Sequence, residues 1–266
     1  MGTATVPQAG TRQAATGRLR RFWDSTIGKK FVMAASGIAG IVFLVGHMAG
    51  NLQMFIPGQP AQAMHDYAVG LRALGPLLWI ARIGLVVAVI LHVTAAWQLT
   101  LRNRAARPVD YALRTPQVSS LGARTMRVGG VLLLAFIVFH IADMTFGVGH
   151  PQFVHLDPYN NLRIGFRRWW ALAFYLVALV FLGLHLFHGI WSSWRTLGAR
   201  RASDRPHHRT IAIALVVLLT IGFAAVPVAA AFGLFREDYP LLEHQTVRGP
   251  SAPVTPLVGA APEGAR

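Results

Sequence analysis

Four histidines lie inside long apolar segments, where no water is available to hydrate a side chain. They are His47 in FLVGHMAGN, His92 in AVILHVTAAW, His140 in FIVFHIADM and His185 in LGLHLFHGIW. A polar side chain in hydrocarbon is costly unless its nitrogens are bonded. Coordination to a metal, a hydrogen-bonded packing position and a proton relay would each meet this need. These four histidines are therefore the first candidates for chemistry.

The segments around these histidines are long enough to cross a membrane. The chain has 266 residues, 54% hydrophobic and 13% charged, with a mean hydropathy of +0.46. Crossing a hydrocarbon core of about 30 Å takes about 20 helical residues. Five segments reach that length, and the first four carry one histidine each: 31–55, 77–101, 128–147, 169–194 and 210–233. We therefore predict an all-α integral membrane bundle of five transmembrane helices.

Lysine and arginine are distributed unevenly around these segments. Of 25 basic residues, 17 lie before the first helix or in the loops after the second and fourth helices. Positive segments stay on the cytoplasmic side, which predicts a cytoplasmic N-terminus and an external C-terminus. We expect a disordered tail over 1–17, the membrane domain over 18–235 and an external tail over 236–266. The net charge of +15 is thus a topology signal, and no nucleic-acid-binding motif accompanies it.

The depths of the four histidines sort them into two layers. At about 1.5 Å of rise per residue, His47 and His140 lie roughly 24 Å and 18 Å from the cytoplasmic ends of their helices. His92 and His185 lie roughly 22 Å and 24 Å from the external ends of theirs. The first pair therefore belongs to the outer half of the membrane and the second pair to the inner half. Two stacked bis-imidazole sites are the arrangement that this predicts.

Haem is the cofactor that such sites fit best. Two imidazoles on facing helices of a bundle can serve as axial ligands of one haem iron. Coordination would also offset the cost of burying each ring in lipid. His188, three residues after His185, is a rival ligand on nearly the same face. Small residues suited to a flat ring occur on all four helices: Gly37, Gly40, Gly46, Gly50, Ala95, Ala96, Gly129, Gly130, Gly183 and Gly189.

Four stretches of the chain carry motifs around the four histidines: STIGKKFVMAASG with HMAGNL, LLWIARIGL with LHVTAAWQL, ARTMRVGG with FHIADMTFG, and LGLHLFHGIWSSWRTLG. These stretches resemble a known family, the single-chain, five-helix, diheme cytochrome b anchor of succinate dehydrogenase and fumarate reductase, respiratory complex II. Together they span most of residues 25–198. The histidine spacings of 45, 48 and 45 residues also fit the near-even spacing of that family.

This resemblance implies an electron-transfer role with two b-type haems. His92 and His185 match the ligands of the proximal haem, and His47 and His140 match those of the distal haem. In the family a flavoprotein subunit with FAD oxidises succinate, an iron–sulfur subunit passes the electrons on, and the anchor delivers them to a quinone, here menaquinone. The chain would then be a multi-pass protein of the bacterial cytoplasmic membrane whose whole complex could form oligomers. The succinate site would lie on a partner chain.

A quinone site needs polar groups near the distal haem. We predict Gln53, His65 and Asp143 as quinone-binding residues, with His65 in an external loop and Asp143 as the group that exchanges protons, since a membrane acid is costly without a role. A second quinone position near Trp23 and Ser25 at the inner face ranks below this one.

Haem propionates would need cations or hydroxyls. Ser36 and Arg195 are the candidates on the inner side, and Arg82, about one turn inside the second helix, is the candidate on the outer side. Further arginines are available on the outer side: Arg163, Arg167 and Arg168. The basic segment 18–30 is expected to lie along the inner interface, where it would meet the iron–sulfur subunit or anionic lipid.

Three other functions remain open. A different diheme b-type quinone oxidoreductase subunit, with another electron donor, would use the same histidines. A transporter or proton channel could use them with Asp143 as a relay, but the chain has no inverted repeat. A plain anchor without haem would be expected to lack the four histidines.

Overall fold

The structure, a computed structural model, describes residues 14–106, 121–150, 152–198 and 205–236, and all the regular elements in these ranges are helical. Eight α-helices and one short 3-10 turn follow in order. They are α1 (Ala14–Asp24), α2 (Thr26–Asn51), the 3-10 turn (Leu52–Phe55), α3 (Pro60–Ala73), α4 (Pro76–Ala105), α5 (Leu121–Phe146), α6 (Pro158–Gly165), α7 (Trp169–Thr196) and α8 (Arg205–Ala231).

Five of these elements are long and apolar enough to cross a membrane, which confirms the predicted all-α fold with five spans. The spans are Thr26–Phe55, Pro76–Ala105, Arg124–Phe146, Trp169–Thr196 and Arg209–Ala231. Each lies within a few residues of the prediction. The first span begins five residues earlier than predicted because Ser25 caps it, its Oγ accepting a hydrogen bond from the Gly28 amide at 2.8 Å.

The two ends of the bundle differ in structure. At one end, called here the amino end, lie α1 and the termini of spans at Ala105, Thr196 and Arg209. At the other, called here the capped end, α3 and α6 fold over the bundle beside the 3-10 turn. The prediction that His65 lies in a loop is wrong, because His65 is on α3. Pro60 at the first turn of α3 has a φ already suited to starting that helix.

Some pairs of the membrane-spanning helices pack along each other, and others are separated. α4 packs along α2, α5 along α7, and α8 against α7 and α2. Buried Ala34 on α2 and Ala95 on α4 are small residues of the kind that lets membrane helices approach closely. Met48, Leu186 and Leu219 form part of the apolar core between α2, α7 and α8. Within the described ranges, α2 and α5, and likewise α4 and α7, are not closely packed pairs.

The capped end has its own apolar and polar core. Met54, Met64, Tyr159 and Phe166 are buried in one cluster there. Asp157 caps α6 by accepting from the Asn160 amide at 3.1 Å, and the Asn160 side chain joins Asp157 to Arg163. All three polar side chains are buried and satisfied, so α6 is held as a fixed unit.

The predicted tails are only partly within the described ranges. α1 begins at Ala14, so residues 14–17 are helical and not part of a disordered tail as expected. Residues 1–13 and nearly all of the predicted external tail, 237–266, lie outside the described residues.

Candidate functional site

The first histidine pair joins α2 and α5 near the capped end. The ring centroids of His47 and His140 are 5.7 Å apart and the rings are almost perpendicular, at 82°. Phe43 stacks on His47 at 5.2 Å, and Phe136 lies 5.7 Å from His140. Two imidazoles that are 93 residues apart in the chain thus face each other inside the membrane span.

The second histidine pair joins α4 and α7, closer to the amino end. The ring centroids of His92 and His185 are 6.0 Å apart, with an angle of 50° between the rings. His188 is bonded elsewhere, because its Nε2 lies 3.1 Å from the Ser192 hydroxyl one turn along α7. The structure therefore brings together the two pairs that helix depth predicted, with His185 and not His188 opposite His92.

The surroundings of His92 determine which of its nitrogens is available. Its Nδ1 lies 3.0 Å from the Met33 carbonyl oxygen and 3.2 Å from Ser36 Oγ. A carbonyl oxygen only accepts, so Nδ1 carries the hydrogen and Nε2 keeps its lone pair. A metal-binding histidine is usually oriented by such a bond from its other nitrogen. Nε2 is therefore the nitrogen of His92 whose lone pair is available.

His140 and His185 differ in their second nitrogen. His140 Nδ1 lies 2.9 Å from the hydroxyl of Tyr175 on α7. His185 Nδ1 is buried and has no hydrogen-bond partner within the described ranges. Sequence analysis missed Tyr175, Met33 and their roles, although a tyrosine inside the apolar run of α7 is a signal that a buried hydroxyl needs a partner.

Both pairs fit a haem iron in spacing and in setting. Two metal–nitrogen bonds of about 2 Å, added to the distance from each nitrogen to its ring centre, separate the centroids by roughly 6 Å. The observed separations of 5.7 Å and 6.0 Å agree with this. Each pair also bridges two helices that do not pack closely, α2 with α5 and α4 with α7.

Small residues border these gaps. A Cβ on Gly37 would lie 3.4 Å from His92 Cε1, whereas one on Gly40 or on Gly130 would meet nothing within 4 Å. The described residues contain no group of three or more histidine, cysteine or acidic side chains that could hold a bare metal ion. A porphyrin supplies four nitrogens of its own, so two axial histidines per iron are enough.

Asp143 lies in a buried ion pair. Its side chain is fully buried, and its two oxygens lie 2.7 Å and 3.0 Å from Arg168 Nη2. Arg168 also donates to the carbonyl oxygens of Gly149 and Gly165, at 2.6 Å and 3.0 Å. The pair therefore ties the end of α5 to the start of α7. The role of Asp143 as a proton exchanger stays a prediction, and its environment is also that of a structural anchor.

His150 is a buried group beside this ion pair that sequence analysis missed. Its Nδ1 lies 3.8 Å from Asp143 Oδ1, and neither ring nitrogen has a hydrogen-bond partner within the described ranges. Burial lowers the pKa of His150, the charge of Arg168 lowers it further, and Asp143 opposes them. The lowered pKa favours the neutral form of His150 beside the Asp143–Arg168 pair.

The other two predicted quinone residues are also at the capped end, but direct bonds do not join the three. Gln53 lies in the 3-10 turn and is half-buried. His65 Nδ1 lies 3.0 Å from the carbonyl oxygen of Leu156, a residue with φ of 66°. Bulky residues rarely adopt that conformation, so the bond holds a strained loop against α3.

The predicted propionate residues are placed differently from one another. Ser36 donates to the Val32 carbonyl oxygen at 2.7 Å and lies beside the His92 ring. Arg195 is exposed in the last turn of α7. Arg82 is exposed on α4, with its guanidinium 5.2 Å from the Trp79 ring centre.

Two of the further arginines predicted on the outer side are bonded to other side chains of the protein. Arg163 is buried and donates to Asn160 Oδ1 at 3.1 Å, and Arg168 belongs to the Asp143 pair. Arg72, missed by sequence analysis, lies near Arg82: burial lowers the pKa of Arg72, and the Arg82 charge lowers it further. Arg72 and Arg82 are therefore the cations exposed together on the α3–α4 hairpin.

Comparison of the chain with models of protein families, with curated proteins and with solved structures found no match.

Proposed function

We propose that this chain is the haem-carrying membrane anchor of a succinate:quinone oxidoreductase in the bacterial cytoplasmic membrane. The observation that carries the proposal is the pairing of His47 with His140 and of His92 with His185, at two depths, across helices that do not pack closely. The motifs around these histidines resemble those of the complex II anchor. This resemblance is the basis for proposing succinate as the electron donor and a quinone as the electron acceptor.

The residues of this chain would bind and orient two b-type haems. Bound haem iron supplies reversible one-electron oxidation and reduction. His92 is held by Met33 and Ser36 so that Nε2 is free, and His140 is held by Tyr175. Apolar side chains around both pairs exclude water, which sets how strongly each charge state is stabilised.

The amino end is the proposed face for partner subunits. Under the cytoplasmic N-terminus predicted from the basic residues, the iron–sulfur subunit would dock beside α1 and pass electrons first to the His92–His185 level. The flavoprotein subunit, with FAD and the succinate site, would bind the iron–sulfur subunit. α1 is fixed for such contact, since Arg102 of α4 donates to the Asp24 carbonyl oxygen at 2.6 Å.

The capped end is the proposed menaquinone face. It lies beside the His47–His140 pair and carries Gln53, His65 and Asp143. His65 uses Nδ1 to bond Leu156, so its Nε2 is the nitrogen left to meet a quinone oxygen.

A spectrum tests the cofactor part of the proposal. We expect the purified chain to show two b-type haems per polypeptide by reduced-minus-oxidised difference spectra and a pyridine haemochrome assay. His185→Ala should lose one haem, whereas His188→Ala, three residues away and bonded to Ser192, should keep both. A folded chain without haem would contradict the proposal.

The donor is tested separately. An affinity-tagged chain purified from its own membranes should bring an FAD-containing subunit and an iron–sulfur subunit, and succinate should reduce its haems. Two haems that succinate cannot reduce, in a complex with a different dehydrogenase, would instead support another diheme b-type quinone oxidoreductase. That second candidate uses the same histidine pairs.

A further inference from the structure

Tyr175 makes a contact that sets one histidine pair apart from the other. Its hydroxyl lies 2.9 Å from His140 Nδ1 and reaches across from α7 to α5. In the other pair, Nδ1 of His92 lies 3.0 Å from the Met33 backbone carbonyl oxygen and 3.2 Å from Ser36 Oγ. For His140 the bond is to a side-chain hydroxyl, which a substitution can remove.

Aromatic side chains fix the position of Tyr175. Its ring centre lies 4.9 Å from that of Phe136 and 4.8 Å from that of Phe166, both edge to face. Tyr175 is 7% exposed and Phe166 is 2% exposed. Edge-to-face packing of this kind has a defined geometry, so the hydroxyl is held at the His140 ring without freedom to turn away.

This aromatic contact also connects the capped end to the histidine pair. Phe166 is the residue at which α6 ends, and α6 is held by the buried Asp157–Asn160–Arg163 bonds. A chain of direct contacts therefore runs from α6 through Phe166 and Tyr175 to His140. The cap of the bundle and the ligand candidate below it are one packed unit.

The direction of the hydrogen bond follows from the chemistry of a ligand. A neutral imidazole that binds a metal through Nε2 carries its hydrogen on Nδ1. His140 Nδ1 then donates, and the Tyr175 oxygen accepts. An acceptor at Nδ1 raises the basicity of the ligating nitrogen, which stabilises the oxidised iron more than the reduced iron.

We propose that Tyr175 is a positioning residue for His140, fixing the plane of that imidazole and lowering the reduction potential of the iron that His47 and His140 would share. The proposal rests on the proposed function, since it requires haem at this pair. Both sites have two histidines, and the proposal attributes a difference in their reduction potentials to the Tyr175 hydroxyl.

The test is Tyr175→Phe in the full chain, assembled with its partner subunits. The variant keeps the ring and its aromatic packing and removes only the hydroxyl. We expect both haems to stay bound and one reduction potential to shift upward in a redox titration, while the other stays as in the unsubstituted chain. The shifted signal must be the one that His140→Ala abolishes. Its low-spin electron paramagnetic resonance signal should also change, because that signal reports the angle between the two imidazole planes.

Tyr159→Phe is the matched control. Tyr159 is another buried tyrosine of the capped end, and its hydroxyl donates to the Arg236 carbonyl oxygen at 3.4 Å. It should leave both potentials unchanged. Selective loss of the haem at His140 in Tyr175→Phe alone would also support the positioning role.

Four results would overturn the inference. Both haems bound with unchanged potentials and resonance signals would show that the Tyr175 hydroxyl only packs. Equal shifts in Tyr175→Phe and Tyr159→Phe, or loss of both haems in Tyr175→Phe, would show a general effect on the capped end. An unsubstituted chain without haem would overturn the proposed function as well, so the two failures are distinguishable.

Discussion

A buried carboxylate inside a membrane helix must either do chemistry or hold the structure, and its partners indicate which. Both oxygens of Asp143 accept from Arg168 Nη2, and Arg168 donates through Nε and Nη1 to two backbone carbonyl oxygens. Both oxygens of a carboxylate in this geometry are engaged by one guanidinium, whose charge strengthens the hydrogen bonds. At the residue scale, the geometry therefore favours a structural role for Asp143.

Asp143→Asn tests this distinction. The substitution leaves the Arg168 charge, which is 16% exposed, without its partner. We expect a loss of about 3 kcal/mol in the free energy of unfolding, since breaking a buried pair by removing one member is strongly destabilising. Thermal unfolding in detergent, followed by the loss of helical circular dichroism, measures it.

Asp66→Asn is the control for that prediction. Asp66 is an exposed acid of the capped end that accepts from Gln62 at 2.8 Å, so its loss should change stability little. If Asp143→Asn unfolds at the same temperature as the unsubstituted chain while quinone turnover falls, Asp143 is the proton exchanger predicted from the sequence and the structural role is wrong.

At the scale of elements, the junction of α1 and α2 depends on one residue without a side chain. A Cβ on Gly28 would lie 1.8 Å from the Phe22 carbonyl oxygen, which is backbone and has no freedom to move aside. Lys29, 1% exposed, completes the junction by donating to the Trp23 carbonyl oxygen and lying 4.6 Å from the Trp23 ring centre. The turn that folds α1 against the first membrane span is thus closely packed.

Gly28→Ala should open this junction. We expect α1 to detach from the bundle, with a cost of about 1–3 kcal/mol typical of an overpacked site. Limited trypsin digestion should then cleave at Arg18 to Arg21 faster than in the unsubstituted chain. Gly46→Ala is the control on the same helix, since its Cβ would meet nothing within 4 Å. Equal cleavage rates in all three chains would show that the junction tolerates a side chain.

The elements that the sequence predicted well are those whose signal is length and hydropathy alone. The five spans follow from apolar runs, and the histidine pairs follow from counting residues along them. α3 and α6 were missed because each is short and carries polar residues that read as loop, such as Asn160 and Asn161. Contacts between distant residues hold these helices in place, for example that of His65 Nδ1 with the Leu156 carbonyl oxygen, 91 residues away. The Tyr175–His140 contact was missed for the same reason, since no local pattern relates α7 to α5.

At the scale of the whole molecule, the two histidine pairs lie at different depths in the membrane-spanning bundle. On α2, Gly37 lies at the level of the His92 ring, and His47 is ten residues further along. Ten helical residues rise about 15 Å, which is about half of a hydrocarbon core of about 30 Å. An electron that moves between the two levels would cross about half of the membrane potential, or about 1 kcal/mol per 100 mV.

The sign of that coupling depends on which end of the bundle faces the cytoplasm, and the chain is well suited to a direct test. It contains no cysteine, so a single introduced thiol reports one position. Gln59→Cys places it at the exposed start of α3 on the capped end, and Ala106→Cys places it just after α4 at the amino end.

With a cytoplasmic N-terminus, a membrane-impermeant maleimide applied to spheroplasts should label Gln59→Cys at once and Ala106→Cys only after the membrane is permeabilised. The basic residues predict this because the N-terminal segment and the loops after the second and fourth spans together hold 17 of the 25 lysines and arginines, which resist export. The reverse pattern would put the proposed menaquinone face inside the cell, and succinate oxidation would then move electrons without crossing from the inner to the outer level. Labelling of both thiols in closed spheroplasts would contradict the five-span topology itself.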